Sequence, residues 1–136
     1  MSESLPDAST TGQPGRRTVL IADDEPSMRL LVTATISSDQ IAVLEAADGD
    51  AAWVLIQRYR PALVLLDVQM PGQTGVELTR RIREDPAIAD IKIVILTSKA
   101  QATDIALGLA AGADLYLTKP FSPMSLMTYV EQALGL

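Results

Sequence analysis

The 136-residue chain contains no cysteine and no histidine. The first absence excludes a disulfide framework, a thiol nucleophile and a thiolate zinc site. The second removes the commonest general base and metal ligand at neutral pH. A bound metal must then be held by oxygen, which favours Mg²⁺, Ca²⁺ or Mn²⁺ over zinc. Basic residues are also scarce, with 11 Lys and Arg against 17 Asp and Glu, a net charge of -6 and a pI near 4.5. That balance lacks the clustered cations of a nucleic-acid footprint, so no nucleic-acid partner is expected. No stretch reaches the ~18 apolar residues of a membrane span, and the start of the chain has no apolar signal-peptide core. No membrane partner is expected either, and the chain reads as soluble and cytoplasmic.

What is present is enough for one domain. Hydrophobic residues make up 48% of the chain, so a sizeable core can be buried. Residues 1–17, "MSESLPDASTTGQPGRR", are rich in Ser, Thr, Pro and Gly. They offer too little apolar surface to offset the entropy of ordering, so a flexible tail is expected there and one folded domain over 18–136. From Thr18 onward, short apolar runs alternate with amphipathic stretches. The runs are "TVLIA" (18–22), "IAVLEA" (41–46), "ALVLL" (62–66), "IKIVIL" (91–96) and "DLYLT" (114–118). The first, third and fourth are nearly continuous in Val, Ile and Leu, as parallel strands covered on both faces are.

Between the runs lie five helix candidates. Pro26 suits a first helical position, and Met28, Val32 and Ile36 recur at helical spacing. Asp48 can cap a helix over 49–59, which must stop before Pro61. A third helix is predicted over 75–84, with Val76, Leu78 and Ile82 partly inward. A fourth is predicted over 101–111, ended by Gly112, and a fifth over 122–134. Five strands alternating with five helices predict an α/β domain with right-handed crossovers. Ligands of such open sheets bind at the carboxyl ends of the strands.

Chemistry gathers at those ends. The first run leads into "VLIADDEPSMR", which places Asp23, Asp24 and Glu25 in one turn despite their mutual repulsion. Asp67 follows the third run, Thr97 and Ser98 the fourth, and Lys119 and Pro120 the fifth. Each alone reads as an ordinary helix cap, turn former or solvated group. Together on one edge they form a set of carboxylates, a hydroxyl and an ammonium. A hard divalent cation between the acids would relieve their repulsion. Mg²⁺ fits, since it binds through one or two carboxylates and commonly bridges to phosphate. With the Lys119 charge and the Thr97 donor, this makes a clamp for a phosphoryl group. Asp67 lies on the middle strand with an open Gly- and Pro-rich turn after it. It is therefore the candidate nucleophile, forming an acyl phosphate, and Asp23 and Asp24 are candidate metal ligands.

The motifs "IADDEP", "LLDVQMPGQTG", "ILTSK" and "GADLYLTKPF", in that order, resemble a response-regulator receiver domain of bacterial two-component signalling. The resemblance covers about residues 18–134. It implies a (βα)5 doubly wound, five-stranded parallel sheet of flavodoxin-like order 2-1-3-4-5. It implies that Asp67 accepts the phosphoryl group, that Asp24 binds Mg²⁺ directly, and that Asp23 does so mainly through water. The backbone carbonyl of Gln69 matches a further metal ligand. Lys119, before a cis Pro120, matches the phosphoryl-contacting lysine. Thr97 matches the hydroxyl that moves onto the phosphoryl oxygen, and Tyr116 the ring that swings in behind it.

The implied activity is self-phosphorylation and slow self-dephosphorylation only, not enzymatic turnover of a separate substrate. With no histidine in this chain, the donor must be a histidine kinase or a histidine phosphotransfer protein. The output is a conformational change on the face of the fourth helix, fifth strand and fifth helix, read by a downstream protein. With no effector domain among these residues, a stand-alone, chemotaxis-receiver-like module or a piece of a longer regulator is expected. Charged residues on the fourth and fifth helices are limited to Asp104 and Glu131. That argues against the charged dimer of winged-helix regulators. Ala62 replaces an acid common after Pro61 in the family.

Two other functions compete. An Asp-nucleophile phosphatase of the haloacid-dehalogenase type needs a second acid two residues after the first, and position 69 is Gln. A phosphorylation-independent scaffold is expected to lose some of Asp24, Asp67, Thr97 or Lys119, and all four are present. Elsewhere, Trp53 reads as packing on the second helix, and Lys99 as a solvated group beside the site. Met124, Met127 and Tyr129 form either amphipathic filler or a Met-rich docking surface.

Overall fold

A computed structural model of the protein describes residues 16–98 and 101–136. The tail expected over 1–17 lies outside the described residues for 1–15, as do Lys99 and Ala100. Its last two residues are ordered instead: Arg16 donates from Nη2 to the Ile41 carbonyl at 3.2 Å, and Arg17 opens the first strand.

The strands are β1 (Arg17–Ala22), β2 (Ile41–Ala46), β3 (Leu63–Leu66), β4 (Lys92–Thr97) and β5 (Leu115–Thr118). The helices are α1 (Pro26–Ile36), α2 (Gly49–Tyr59), α3 (Gly75–Glu84), α4 (Ala102–Ala111) and α5 (Pro123–Leu134). Every expected element is present, with ends within one residue of those read from the sequence. Gln101 and Ser122, expected as first helical residues, are the N-caps of α4 and α5; the Ser122 hydroxyl accepts from the Ser125 N–H at 3.2 Å. All strand pairs are parallel, in the order β2-β1-β3-β4-β5.

Alternation along the strands sorts the core into two layers. Val19 and Ile21 of β1 pack with Val32 and Ile36 of α1 and Leu126 and Val130 of α5. Leu20 and Ala22 turn the other way, toward Ala52 and Ile56 of α2 and Leu78 and Ile82 of α3. Trp53 lies beside that second layer, with the Arg81 guanidinium 4.0 Å over its ring, so it is a packing residue as expected. Thr74 and Glu77 close a reciprocal capping box that sets the start of α3.

One side chain locks the far edge of this layer. Arg83, near the end of α3, donates to the carbonyls of Gly112 (3.0 Å), Ala89 (2.8 Å) and Ile91 (2.6 Å), and to Asp114 Oδ2 (2.9 Å). Its fixed guanidinium fork thus ties α3 to the end of α4 and to the approach to β5.

Candidate functional site

Backbone ladders carry the strands past their apolar runs and fix the reactive residues beyond them. The Asp23 N–H donates to the Ala46 carbonyl (3.1 Å), that of Asp67 to Ala22 (3.0 Å), and that of Lys119 to Thr97 (2.8 Å). Strand order therefore sets Asp23, Asp67, Thr97 and Lys119 side by side, although 96 residues separate Asp23 from Lys119. Gly75 backs the centre: a Cβ there would lie 2.4 Å from the Asp67 carbonyl oxygen, so α3 can approach only without a side chain.

One carboxylate oxygen from each of Asp23, Asp24 and Asp67 lies within 4.8 Å of the other two. Asp23 is fully buried and Asp67 nearly so, whereas Asp24 is exposed at the mouth. Lys119 Nζ bridges the two buried acids, at 2.7 Å from Asp23 Oδ2 and 3.2 Å from Asp67 Oδ2. The other oxygens accept from backbone: Asp23 Oδ1 from Glu25 N–H (2.9 Å) and Asp67 Oδ1 from Gln69 N–H (3.2 Å). Arg29 of α1 holds the Asp23 carbonyl at 2.7 Å and reaches Glu45 of β2 at 3.3 Å, bracing the acidic turn from outside. In front of Asp67 opens a cavity of about 200 Å³, lined also by Asp24, Gln69, Thr97, Ser98 and Lys119. Thr97, expected just after its strand, is the last residue of β4 and is buried.

Burial is the main influence on Asp67 and pushes its carboxyl above the ordinary carboxylate range. The Lys119 charge opposes that rise, the Asp23 charge adds to it, and the Gln69 N–H opposes it again. For Lys119, burial works downward, but the hydrogen bond it donates to Asp23 and the charges of both acids outweigh it and raise the ammonium. Burial also raises the Tyr116 hydroxyl, helped by Asp104.

A pH dependence follows for Asp67. The folded protein holds a proton on Asp67 more tightly than the unfolded chain, so this residue's contribution to stability falls as pH rises through that window. With EDTA present, Asp67→Asn should melt above the wild type at about pH 7. The gap should close near about pH 4, where the unfolded carboxyl also protonates. Thermal melts of both proteins at the two pH values check this, and a gap independent of pH overturns it.

Every residue singled out in the sequence for this edge is at or beside the cluster, except that Tyr116 lies behind it, against α4. Two contributors carried no assigned role. Glu25, in the same "DDEP" turn, has its carboxylate 3.7 Å from Lys119 Nζ. Arg29 follows one helical turn later, and only its spacing from the acidic turn hinted at contact. The donor set suits a hard divalent cation: it is all oxygen, three carboxylates share one small volume, and one of them is wholly buried.

A doubly wound parallel sheet with a carboxylate pocket and a lysine at its carboxyl edge defines a class of phosphoryl-handling signalling domains. The model of the response regulator receiver domain matches residues 19–131, and the chain belongs to that family. PhoB of Pseudomonas aeruginosa, a phosphate regulon transcriptional regulatory protein, is 38% identical over 118 residues, 87% of this chain and 52% of its own. The DNA-binding response regulator MtrA of Mycolicibacterium smegmatis is 36% identical over 88% of this chain and 51% of its own. The structure of the chemotaxis response regulator CheY4 of Vibrio cholerae superposes with a TM-score of 0.79 at 31% identity, covering 87% of this chain and 98% of that one. That of the BeF3-activated DrrB receiver domain gives 0.79 at 26% identity, covering 89% and 99%.

The chain spans about half the length of the curated relatives it matches. Two of those relatives are named as transcriptional or DNA-binding regulators, so the expected absence of a nucleic-acid partner finds no support in them. Receiver domains are signalling modules that accept a phosphoryl group from histidine kinases and bind Mg²⁺ at an acidic pocket. Among the described residues, no helix is long and apolar enough to cross a membrane.

Proposed function

We propose that this chain receives a phosphoryl group on Asp67 from a phosphohistidine of a kinase or phosphotransfer protein, and signals by rearranging the α4–β5–α5 face. The observation that carries this is the meeting of Asp23, Asp24 and Asp67 within 4.8 Å, with Lys119 bonded to the two buried acids. An Asp67 oxygen attacks phosphorus, the new O–P bond forms, and the P–N bond to the donor imidazole breaks. Lys119 meets the negative charge that develops on the phosphoryl oxygens, and the Thr97 hydroxyl donates to one of them. Asp23, Asp24, Asp67 and the Gln69 carbonyl are the groups that would hold Mg²⁺, which when bound supplies further positive charge at the phosphoryl oxygens. Water cleaves the acyl phosphate slowly, because Gln69 offers no acid or base where the haloacid-dehalogenase phosphatases carry one.

Output follows from Thr97. Its shift toward the phosphoryl group frees space beneath α4 into which the Tyr116 ring turns. The elements of that face expose apolar side chains: Leu107 is 55% exposed and Leu109 47% on α4, and Met124 79% on α5. Exposed apolar groups of this size support docking of a downstream protein through apolar contacts, and favour the docking role of Met124 over filler. Hydrogen exchange with and without beryllofluoride, a phosphoryl mimic, should show altered protection across residues 101–130. Thr97→Ala should still accept phosphate from acetyl phosphate but lose that remote change. Protection altered only around Asp67 in the wild type overturns the switch.

A further inference from the structure

α4 sits on the sheet in an unusual way. An apolar helix ordinarily turns its leucines inward. Here Leu107 and Leu109 are exposed, and the one buried residue of the helix is Gly108. Glycine inside a helix disfavours folding several-fold relative to alanine, and no left-handed backbone angle requires it at this position. The space around it does. A Cβ on Gly108 would lie 2.9 Å from Tyr116 Cδ2, 3.0 Å from Tyr116 Cε2 and 3.0 Å from Ile95 Cδ1. Ile95 is locked in the core of β4, whereas Tyr116 is half-buried on the edge strand β5, three residues before Lys119. Of the two, the ring is the part able to yield.

We infer that Gly108 is a positioning residue for Tyr116: its bare Cα admits the aromatic ring between α4 and the sheet, and a side chain there holds the ring off. The inference builds on the proposed Tyr116 switch and specifies what the ring moves against. α4 and the ring share one contact with no slack, so neither shifts without the other. The far end of α4 is fixed separately, through the Arg83 bond to the Gly112 carbonyl.

A stability cycle and an exchange measurement test this together. Alanine has the better helix propensity, so Gly108→Ala with no steric conflict should raise the folding equilibrium constant roughly three- to fivefold. It should instead lower that constant in the wild type and in Tyr116→Phe, which keeps the ring. In Tyr116→Ala, where only the Ile95 contact remains, the same substitution should lower it severalfold less or raise it. An effect of equal size in all three backgrounds, whatever its sign, overturns the Tyr116 contact.

In the second measurement, Gly108→Ala should take phosphate from acetyl phosphate at the wild-type rate. It should lose at least half of the beryllofluoride-induced exchange change over 101–118. A full change in Gly108→Ala overturns the positioning role even if the cycle shows the coupling. If the wild type itself shows no remote change, the switch fails and the positioning role falls with it, while the cycle still decides the contact.

Discussion

Incubated with acetyl phosphate and Mg²⁺, the wild-type protein should gain the mass of one phosphoryl group, and Asp67→Asn should gain none. Among the described residues, Asp67 is the one carboxylate that is both buried beside Lys119 and open to the cavity in front of it. Its replacement by an amide removes the nucleophilic oxygen while keeping the side chain's size and its place beside the Gln69 N–H. Lys119→Ala should retain the acceptor but react roughly 10²- to 10³-fold more slowly, the usual effect of removing one preorganised donor from a site of developing charge. Intact-mass time courses measure both. Equal labelling of Asp67→Asn, or undiminished labelling in EDTA, would move the chemistry to another residue. The same time course tests the phosphatase alternative, since an adduct that persists after acetyl phosphate is removed is incompatible with rapid turnover.

Mg²⁺ should stabilise the folded protein by about 2.7 kcal/mol at 100 times its Kd, because the ion binds the assembled carboxylates and not the dispersed chain. Asp24→Ala should lose most of that gain. Asp24 is the exposed member of the cluster, at the mouth, so its removal takes away a ligand without opening a hole in the core. In EDTA the variant should be no less stable than the wild type, since one of three mutually repelling charges is gone. Denaturant titrations with and without Mg²⁺ separate the two effects. A Mg²⁺ gain unchanged in Asp24→Ala would place the ion at another acidic cluster.

Much of this protein was determined by local sequence. The Val-, Ile- and Leu-rich runs became buried parallel strands because a strand covered on both faces needs apolar residues at every position. Asp48, Thr74 and Ser122 began helices because their oxygens accept the otherwise unpaired first N–H groups. The membership of the pocket was legible too, since each reactive residue directly ends or follows a strand and all five strands run the same way. Tertiary structure decided the rest. Neighbours in sequence, Asp23 and Asp24, differ completely in burial, because the β1 ladder turns one inward and leaves the other at the rim. Lys119 bonds to Asp23 as well as Asp67 because β5, β4, β3 and β1 lie at fixed spacings across the sheet. The Gly108–Tyr116 contact and the Arg83 lock likewise depend on how closely helices settle on the sheet. Such close approach is set by side chains from distant segments filling one space, and no local pattern of residues encodes it.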